Sequence, residues 1–181
     1  MQPGRSDLVI NEGEDFAKAY AFYERGGRVI EDLVTTNAST TATSATAAFT
    51  SADTGKKIAT ADGTGIADGT TMTYVNSTTV TLSAAATATL TEGVAVVRAL
   101  NCSAYTAHAA EIRKTEDAAT TLATLPVDTS REAVGFYTIE LAAADTATLG
   151  QSGVWDWQVT GPNGISYWYA GKARFLKRVT T

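Results

Sequence analysis

The sequence is poor in the residues that build catalytic, metal and disulfide sites. Its 181 residues include one cysteine, Cys102, and one histidine, His108. A single cysteine excludes an internal disulfide and leaves no cysteine partner for a metal site. No apolar run approaches the length of a membrane-spanning helix. The N-terminus lacks the charged-then-apolar layout of a signal peptide, which predicts a protein made and kept in a cytoplasm or released from one by lysis.

Charged residues are also scarce, which limits the classes of molecule that the protein is expected to bind. Lysine and arginine number 14 against 19 aspartates and glutamates, so the net charge is −5. Without a basic run that follows a phosphate backbone, nucleic-acid binding is not expected. Charged residues make up only 18% of the chain, while alanine, threonine and serine are abundant. That composition favours a protein whose surface packs against neighbours.

No pattern in the sequence predicts catalysis, a metal ion or a cofactor. His108 and Glu111 are three residues apart in a predicted strand, so their side chains point to opposite faces. The glycine-rich stretch 63–69 lacks the lysine and the helix of a phosphate-binding loop. Three aspartates match no calcium-loop spacing, and surface turns are favoured for them over a Ca²⁺ site. They are Asp53, Asp62 and Asp68. We therefore expect a protein that is not an enzyme and has no cofactor.

Side-chain periodicity predicts strands along most of the chain and hence an all-β fold. A turn is predicted at Gly26-Gly27, and one helix of about two turns over 141–149, closed by Gly150. The predicted strands are residues 7–11, 15–23, 28–33, 72–75, 78–82, 94–97, 105–114, 135–141, 154–160 and 165–179. The clearest hairpin joins the last two through the turn 161–164. In its first strand, Trp155 and Trp157 alternate with Asp156 and Gln158, as in an antiparallel sheet with one solvated face.

Residues 34–99 differ in amino-acid composition from the rest of the chain. Residues 35–48 are almost all threonine, alanine and serine, which predicts an extended linker or an edge strand. A glycine- and aspartate-rich stretch follows, and then alternating β-branched residues. This segment is predicted to form a small β unit with its own partial core.

Several segments, taken in order, carry a resemblance. They are Ile10–Phe16, Gly27–Leu33, Leu100–Tyr105, Ala109–Lys114, Leu141–Leu149 and Val154–Val159. This order resembles the immunoglobulin-like β-sandwich of tail and baseplate proteins of tailed bacteriophages, such as the N-terminal domain of upper baseplate proteins. The resemblance implies an antiparallel immunoglobulin-like β-sandwich formed by residues 1–33 and 100–181, with residues 34–99 inserted into one of its loops. The insert itself, with Phe49–Lys56 and Val80–Ser83, is similar to a module found in phage fibre and head proteins.

A candidate interface lies near the C-terminus. Three consecutive aromatic residues cannot all enter one core, and strand alternation places Trp168 opposite to Tyr167 and Tyr169. An outward ring is covered within the fold, buried by a partner protein, or stacked on a sugar. Lys172 and Arg174 add positive charge that a neighbouring copy could match.

The resemblance implies a non-enzymatic structural or assembly protein of a phage virion, most simply a tail, baseplate or adaptor component. Its expected partners are other virion proteins and further copies of itself in a homo-oligomer, with no nucleic acid and no membrane. Two alternatives stay open: a capsid (head) decoration protein, and a receptor- or glycan-binding fibre module that recognises a host surface glycan. The expected location is the virion, assembled in the bacterial host cytoplasm.

Overall fold

A computed structural model describes residues 4–177. Over this range the chain forms strands, one short α-helix and two single-turn 3₁₀ helices, at Ser51–Asp53 and Glu132–Val134, so the predicted all-β class is confirmed. In chain order the elements are β1 (Gly4–Arg5), β2 (Leu8–Asn11), β3 (Phe16–Ala21), β4 (Tyr23–Thr35), β5 (Thr41–Thr43), β6 (Ile58–Thr60), β7 (Met72–Asn76), β8 (Thr79–Leu82), β9 (Leu90–Ala99), β10 (Thr106–Arg113), β11 (Thr121–Leu125), β12 (Val127–Asp128), β13 (Phe136–Leu141), α1 (Ala143–Thr146), β14 (Gly153–Gly161) and β15 (Gly164–Leu176). Between residues 4 and 177, no helix has the length and apolarity needed to cross a membrane.

Two local predictions are wrong. The chain does not reverse at Gly26-Gly27, because β4 continues through both glycines. They lie in a bulge, where pairing with β9 moves from Tyr23↔Ala99 to Arg28↔Val97. The threonine-rich residues 35–48 are not a linker or an edge strand either, since they contain β5, which lies between β4 and β8 in a sheet. The predicted strand 165–179 is described as far as Leu176, and its end at 178–179 lies outside the described residues.

Contacts within the chain divide it into two compact units. Unit 1 contains residues 4–19, 103–130 and 137–177, and unit 2 contains residues 20–102 and 131–136. The sequence-based boundaries, which set 34–99 apart from 1–33 and 100–181, stay a prediction.

Unit 1 contains a larger sheet in the order β1–β15–β14–β10–β11, with β2 also paired to β15. β14 and β15 form the predicted hairpin, which closes with the pair Gly161↔Gly164. A three-stranded sheet follows the order β12–β13–β3. On β14 the predicted alternation is confirmed: Trp155 and Trp157 are buried, and the side chains between and after them are half-exposed.

The N-terminal segment is fixed to the larger sheet by parallel pairing. β1 and β2 pair one after the other with β15, and Leu8 and Ile10 are fully buried. Between them the chain lies close to the sheet: the indole Nε1 of Trp155, on β14, donates to the Ser6 carbonyl at 2.6 Å. A Cβ on Gly171 would lie 2.2 Å from that carbonyl oxygen, so only glycine fits there.

Unit 2 contains a six-stranded sheet in the order β6–β9–β4–β5–β8–β7. One face carries the main core, in which Leu33, Phe49 and Ile58 are almost completely buried. Val96 and Val97 are neighbours on β9, so their side chains point to opposite faces. Val97 joins the main core, and Val96 packs in a second cluster with residues of the segment 131–136.

Candidate functional site

The five residues predicted to form an interface all lie on β15. Lys172 and Arg174 are exposed and flank the buried Ala173, so they lie on the outer face of the larger sheet. Trp168 and Tyr169 are half-buried. The Tyr167 backbone pairs with Gln158, and its side chain lies outside what the structure describes.

A bulge in β15 breaks the predicted alternation of the aromatic residues. Tyr169 pairs with Trp157 and Tyr167 pairs with Gln158, which leaves Trp168 as the extra residue. The Trp168 ring centroid lies 5.2 Å from that of Trp157, and the Tyr169 centroid lies 6.3 Å from the same ring. The prediction that Trp168 and Tyr169 point to opposite faces is therefore wrong, because both rings contact Trp157.

Trp168 belongs to a cluster of rings around His108. Its centroid lies 5.0 Å from Tyr105, 5.6 Å from His108 and 5.4 Å from Tyr137. The Trp157 Nε1–H donates to His108 Nδ1 at 3.3 Å, and His108 Nε2 lies 3.2 Å from the Tyr105 carbonyl oxygen. Since Nδ1 accepts, this geometry assigns the proton of the neutral ring to Nε2, which donates to that carbonyl. We call these five residues the aromatic cluster.

A cleft of about 1090 Å³ opens on the outer face of the larger sheet in unit 1. The register of four neighbouring strands places Glu111, Asp156, Ala170 and Arg5 in one row across it. We call it the outer cleft. Its charged lining residues are Arg5, Asp7, Glu111, Arg113, Glu116, Asp156 and Lys172. Among the predicted interface residues, Lys172 lines this cleft.

Asp156 lines the outer cleft, and one of its two carboxylate oxygens is buried. Its Oδ2 is 3.7 Å from Nη1 of Arg113, whereas Oδ1 is buried and has no hydrogen-bond partner among the described residues. Glu111, directly opposite on β10, binds the same guanidinium through Nη2. Burial raises the pKa of Asp156 above its ordinary value with help from the Glu111 charge, although Arg113 and a hydrogen bond from Gln158 oppose the shift.

Unit 2 contains a buried carboxylate that the sequence placed on the surface. The Asp53 side chain is completely buried, so the prediction of a surface turn is wrong for this residue. It accepts from Arg98 Nε at 2.5 Å, Arg28 Nη2 at 3.3 Å and the Thr50 amide at 2.8 Å. Burial by itself raises the pKa of Asp53, but hydrogen bonds from Arg98, Thr50 and Arg28 outweigh it and hold the pKa below its ordinary value.

The other two aspartates singled out in the sequence do lie in exposed turns. Asp62 accepts from the Thr64 amide at 2.9 Å and from its hydroxyl at 2.7 Å, and these bonds lower the pKa of Asp62. Asp68 forms an ion pair with Arg131 at 2.6 Å. In the part of the chain from residue 4 to 177, no three histidine, cysteine, aspartate or glutamate residues are grouped to hold a metal ion.

Sequence reasoning missed the outer cleft. The alternation on β14 correctly placed Asp156 on the outer face, and Glu111 was placed opposite to His108. The sequence does not predict the pairing register between β10 and β14, which brings Glu111 directly opposite Asp156. The signal that could have found it is the matching polar periodicity of Glu111 and Arg113 with Asp156 and Gln158.

The outer cleft offers carboxylate oxygens as acceptors, with the exposed cations Arg5 and Lys172 at its edges. This arrangement suits a ligand that carries a hydrogen-bond donor or a positive charge between acceptors. No protein-family model matches this sequence, and no curated protein is significantly similar to it. Function is therefore inferred from the strand order and the surface chemistry of the chain itself.

Proposed function

We propose that this chain is a non-enzymatic structural protein of a tailed-bacteriophage virion, a tail, baseplate or adaptor component that works through protein–protein interfaces. The strand order of unit 1 is the observation that carries this proposal, because it matches the immunoglobulin-like sandwich that the sequence resembles.

In an immunoglobulin-like sandwich with strands named A to G, C, F and G form one sheet with C′, while B, E and D form the other. Taken in chain order, β3, β10, β11, β12, β13, β14 and β15 correspond to B, C, C′, D, E, F and G. Their order in the two sheets, β15–β14–β10–β11 and β12–β13–β3, fits that scheme. The first strand departs from the constant-type arrangement, since β2 pairs in parallel with β15.

Packing inside unit 1 supports a sandwich. Tyr137 on β13 and Trp157 on β14 come from different sheets, and their ring centroids lie 5.3 Å apart in a T-shaped contact. Ile139 on β13 and Ile112 on β10 are also almost completely buried. Two sheets that cover each other's inner faces in this way form the core of a β-sandwich.

The surface supports a role in assembly. Apolar side chains are exposed on strands: Val9 by 54%, Ile165 by 70% and Leu176 by 52% in unit 1. In unit 2, Val29 and Val75 are exposed by 45% and 53%. Combined with the low content of charged residues, these positions suit contacts with neighbouring proteins.

Glycan binding has less support than protein contacts. A sugar site needs an exposed ring to stack on, but Trp168 packs against four rings of the aromatic cluster. The non-enzymatic character is supported by His108, whose two ring nitrogens both lie at hydrogen-bonding distance from neighbours. A head decoration protein and a tail component would use the same kind of surface. The position of the protein in the virion therefore distinguishes these two alternatives.

An antibody raised against the purified chain tests the proposal by electron microscopy of phage particles from the bacterium that encodes it. We expect gold label at the tail or baseplate. Label over the head would favour the decoration alternative, and particles without label would overturn the virion assignment. A glycan array with the purified chain is the companion assay, in which clear binding by a monomer would contradict a purely structural role.

A further inference from the structure

The turn that joins β14 to β15 contains the one Asn-Gly pair of the sequence. The chain has five asparagines, at positions 11, 37, 76, 101 and 163, and only Asn163 is followed by glycine. Asn163 and Gly164 are both exposed. Gly164 has a φ of +96°, and a Cβ placed on it would meet no heavy atom within 4 Å apart from its chain neighbours. The space around the amide nitrogen of Gly164 is therefore open.

This pair has a reactivity of its own. Asparagine is a thermolabile residue, because its side-chain amide reacts with the backbone. The amide nitrogen of the next residue attacks Cγ of the asparagine, and a five-membered succinimide ring forms. Glycine in the next position favours the attack, because it has no Cβ to block the nitrogen and its backbone adopts more conformations than that of any other residue.

The fold withholds the reacting groups at the other four asparagines. At Asn76 the side chain is held, since its Oδ1 accepts from the Thr78 amide at 2.9 Å and from the Thr78 hydroxyl at 3.0 Å. At the other three, the amide of the following residue donates to a carbonyl oxygen and is not available as a nucleophile. These donors and acceptors are Glu12 to Leu176 at 2.9 Å, Ala38 to Ala86 at 2.8 Å and Cys102 to Glu132 at 2.9 Å.

The Gly164 amide lies at the end of its ladder. Gly161↔Gly164 is the last pair between β14 and β15, and the pairs behind it continue with Thr160↔Ile165. The end of a ladder opens more readily than its interior, because no further pairs have to break. The amide of Gly164 is therefore released more often than an amide inside the sheet.

We propose that Asn163 is a site of spontaneous deamidation. The Gly164 nitrogen bonds to Cγ of Asn163, the Cγ–Nδ2 bond breaks, and the amide proton of Gly164 leaves with that nitrogen as ammonia. Water then opens the ring. Cleavage between Cγ and the Gly164 nitrogen gives aspartate, and cleavage at the main-chain carbonyl carbon gives isoaspartate. Water is the only co-reactant, so the reaction belongs to the chain itself and goes beyond the proposed function.

Both products change the surface at this turn. Each adds a negative charge next to Ile165, whose side chain is 70% exposed. Isoaspartate also adds one carbon atom to the main chain between β14 and β15, within a turn whose two central residues are Pro162 and Asn163. The turn therefore changes with time from an uncharged surface to an acidic one.

The test follows the purified full chain in mildly alkaline buffer over several weeks, with peptide mapping by mass spectrometry. We expect the peptide that contains Asn163 to gain the mass difference between asparagine and aspartate and to separate into aspartyl and isoaspartyl forms. Peptides with the other four asparagines should react at least roughly tenfold more slowly, because their reacting groups are held by the fold. No mass gain at Asn163, or an equal rate at another asparagine, would overturn the proposal.

The same experiment in urea separates the contribution of the fold from that of the sequence. Unfolding releases the hydrogen bonds at the four protected asparagines, so their rates should rise by more than the rate at Asn163. Unchanged rates at those four positions would contradict the protection assigned to the fold. Isomerisation of the two aspartates followed by glycine, Asp62 and Asp68, leaves the mass unchanged and is not counted.

Two variants complete the test. Asn163→Gln keeps an amide in the exposed turn, but its longer side chain would have to form a six-membered ring, so the release of ammonia by the folded chain should fall at least roughly tenfold. Asn76→Gln, at the exposed end of β7, is the matched control and should release ammonia at the wild-type rate. Ammonia release by Asn163→Gln at the wild-type rate would overturn the assignment to Asn163.

Discussion

Replacement of Asp53 by asparagine tests the buried ion network of unit 2. The change keeps the size of the side chain and its acceptor for the Thr50 amide, but it removes the negative charge between Arg28 and Arg98. Both arginines then lose their counter-ion. Because the Asp53 side chain is completely buried, water cannot take the place of the lost charge at that position. We expect unit 2 to lose a large part of its stability.

The magnitude follows from burial. Removal of one partner from a buried ion pair costs about 3–5 kcal/mol. Here the side chains of Arg28 and Arg98 keep 27% and 15% of their surface exposed, so they regain some hydration and the loss falls to about 3 kcal/mol. For a unit of this size that corresponds to a decrease in melting temperature of roughly 12–24 °C.

Thermal and urea unfolding, followed by circular dichroism with hydrogen exchange to assign the transition to unit 2, measure this loss. Asp62→Asn is the matched control, and we expect a much smaller effect because Asp62 lies in an exposed turn. If Asp53→Asn lowers the free energy of unfolding of unit 2 by less than about 1 kcal/mol, the network contributes no more than a surface ion pair, and the prediction is wrong.

The same network sets a pH dependence. The folded pKa of Asp53 lies below its unfolded value of about 3.8, so the unfolded state binds protons first as the pH falls. The stabilisation is therefore complete at neutral pH and is lost only below about pH 4, as the pH passes through the folded pKa. The difference in stability between wild type and Asp53→Asn should shrink in that range, and a constant difference down to pH 2–3 would contradict the assignment.

Three further predictions concern unit 1. Gly171→Ala should cost about 2 kcal/mol or more, because its Cβ would collide with the Ser6 carbonyl; loss of amide-exchange protection in the N-terminal segment checks this, and unchanged protection would contradict it. Asp156→Asn should leave unit 1 equally or more stable at pH 7. Because the folded pKa of Asp156 is raised, its charged form lowers the stability of unit 1 above that pKa, and this loss disappears as the pH falls below it. Urea unfolding at pH 7 checks this. A variant less stable than wild type would show that ionised Asp156 stabilises unit 1, which contradicts the prediction. Trp157→Ala should cost about 3–5 kcal/mol and remove the near-ultraviolet dichroism of the aromatic cluster, whereas Trp168→Phe should cost less; equal losses in thermal unfolding would show that the cluster is not centred on Trp157.

Alternation of side chains was enough to predict most strands and the orientation of β14. It failed wherever a bulge adds a residue, as at Trp168 and at Gly26-Gly27, because bulges depend on the partner strand and not on the local sequence. The helix predicted over 141–149 is shorter in the structure, where it covers only Ala143–Thr146. Leu141 belongs instead to β13, where sheet pairing outweighs weak helical preference.

The candidate site was predicted only in part. Lys172 was singled out by its position near other basic residues, and the structure places it in the outer cleft. Asp156 and Glu111 could not be brought together from sequence, since they are distant in the chain and their contact depends on strand register. Asp53 was misplaced because aspartate near glycine favours turns, and the two arginines that bury it come from β4 and β9.

The parallel pairing of β2 with β15 has a consequence for synthesis. Leu8 and Ile10 leave the ribosome before the strand that covers them, residues 173–176, which is made more than 150 residues later. Unit 2 is complete once residue 136 has emerged, so its sheet can close while the N-terminal segment still lacks its partner. During that interval the segment is an unpaired apolar strand, which is the state in which a nascent chain is most open to chaperones and to exchange with another copy.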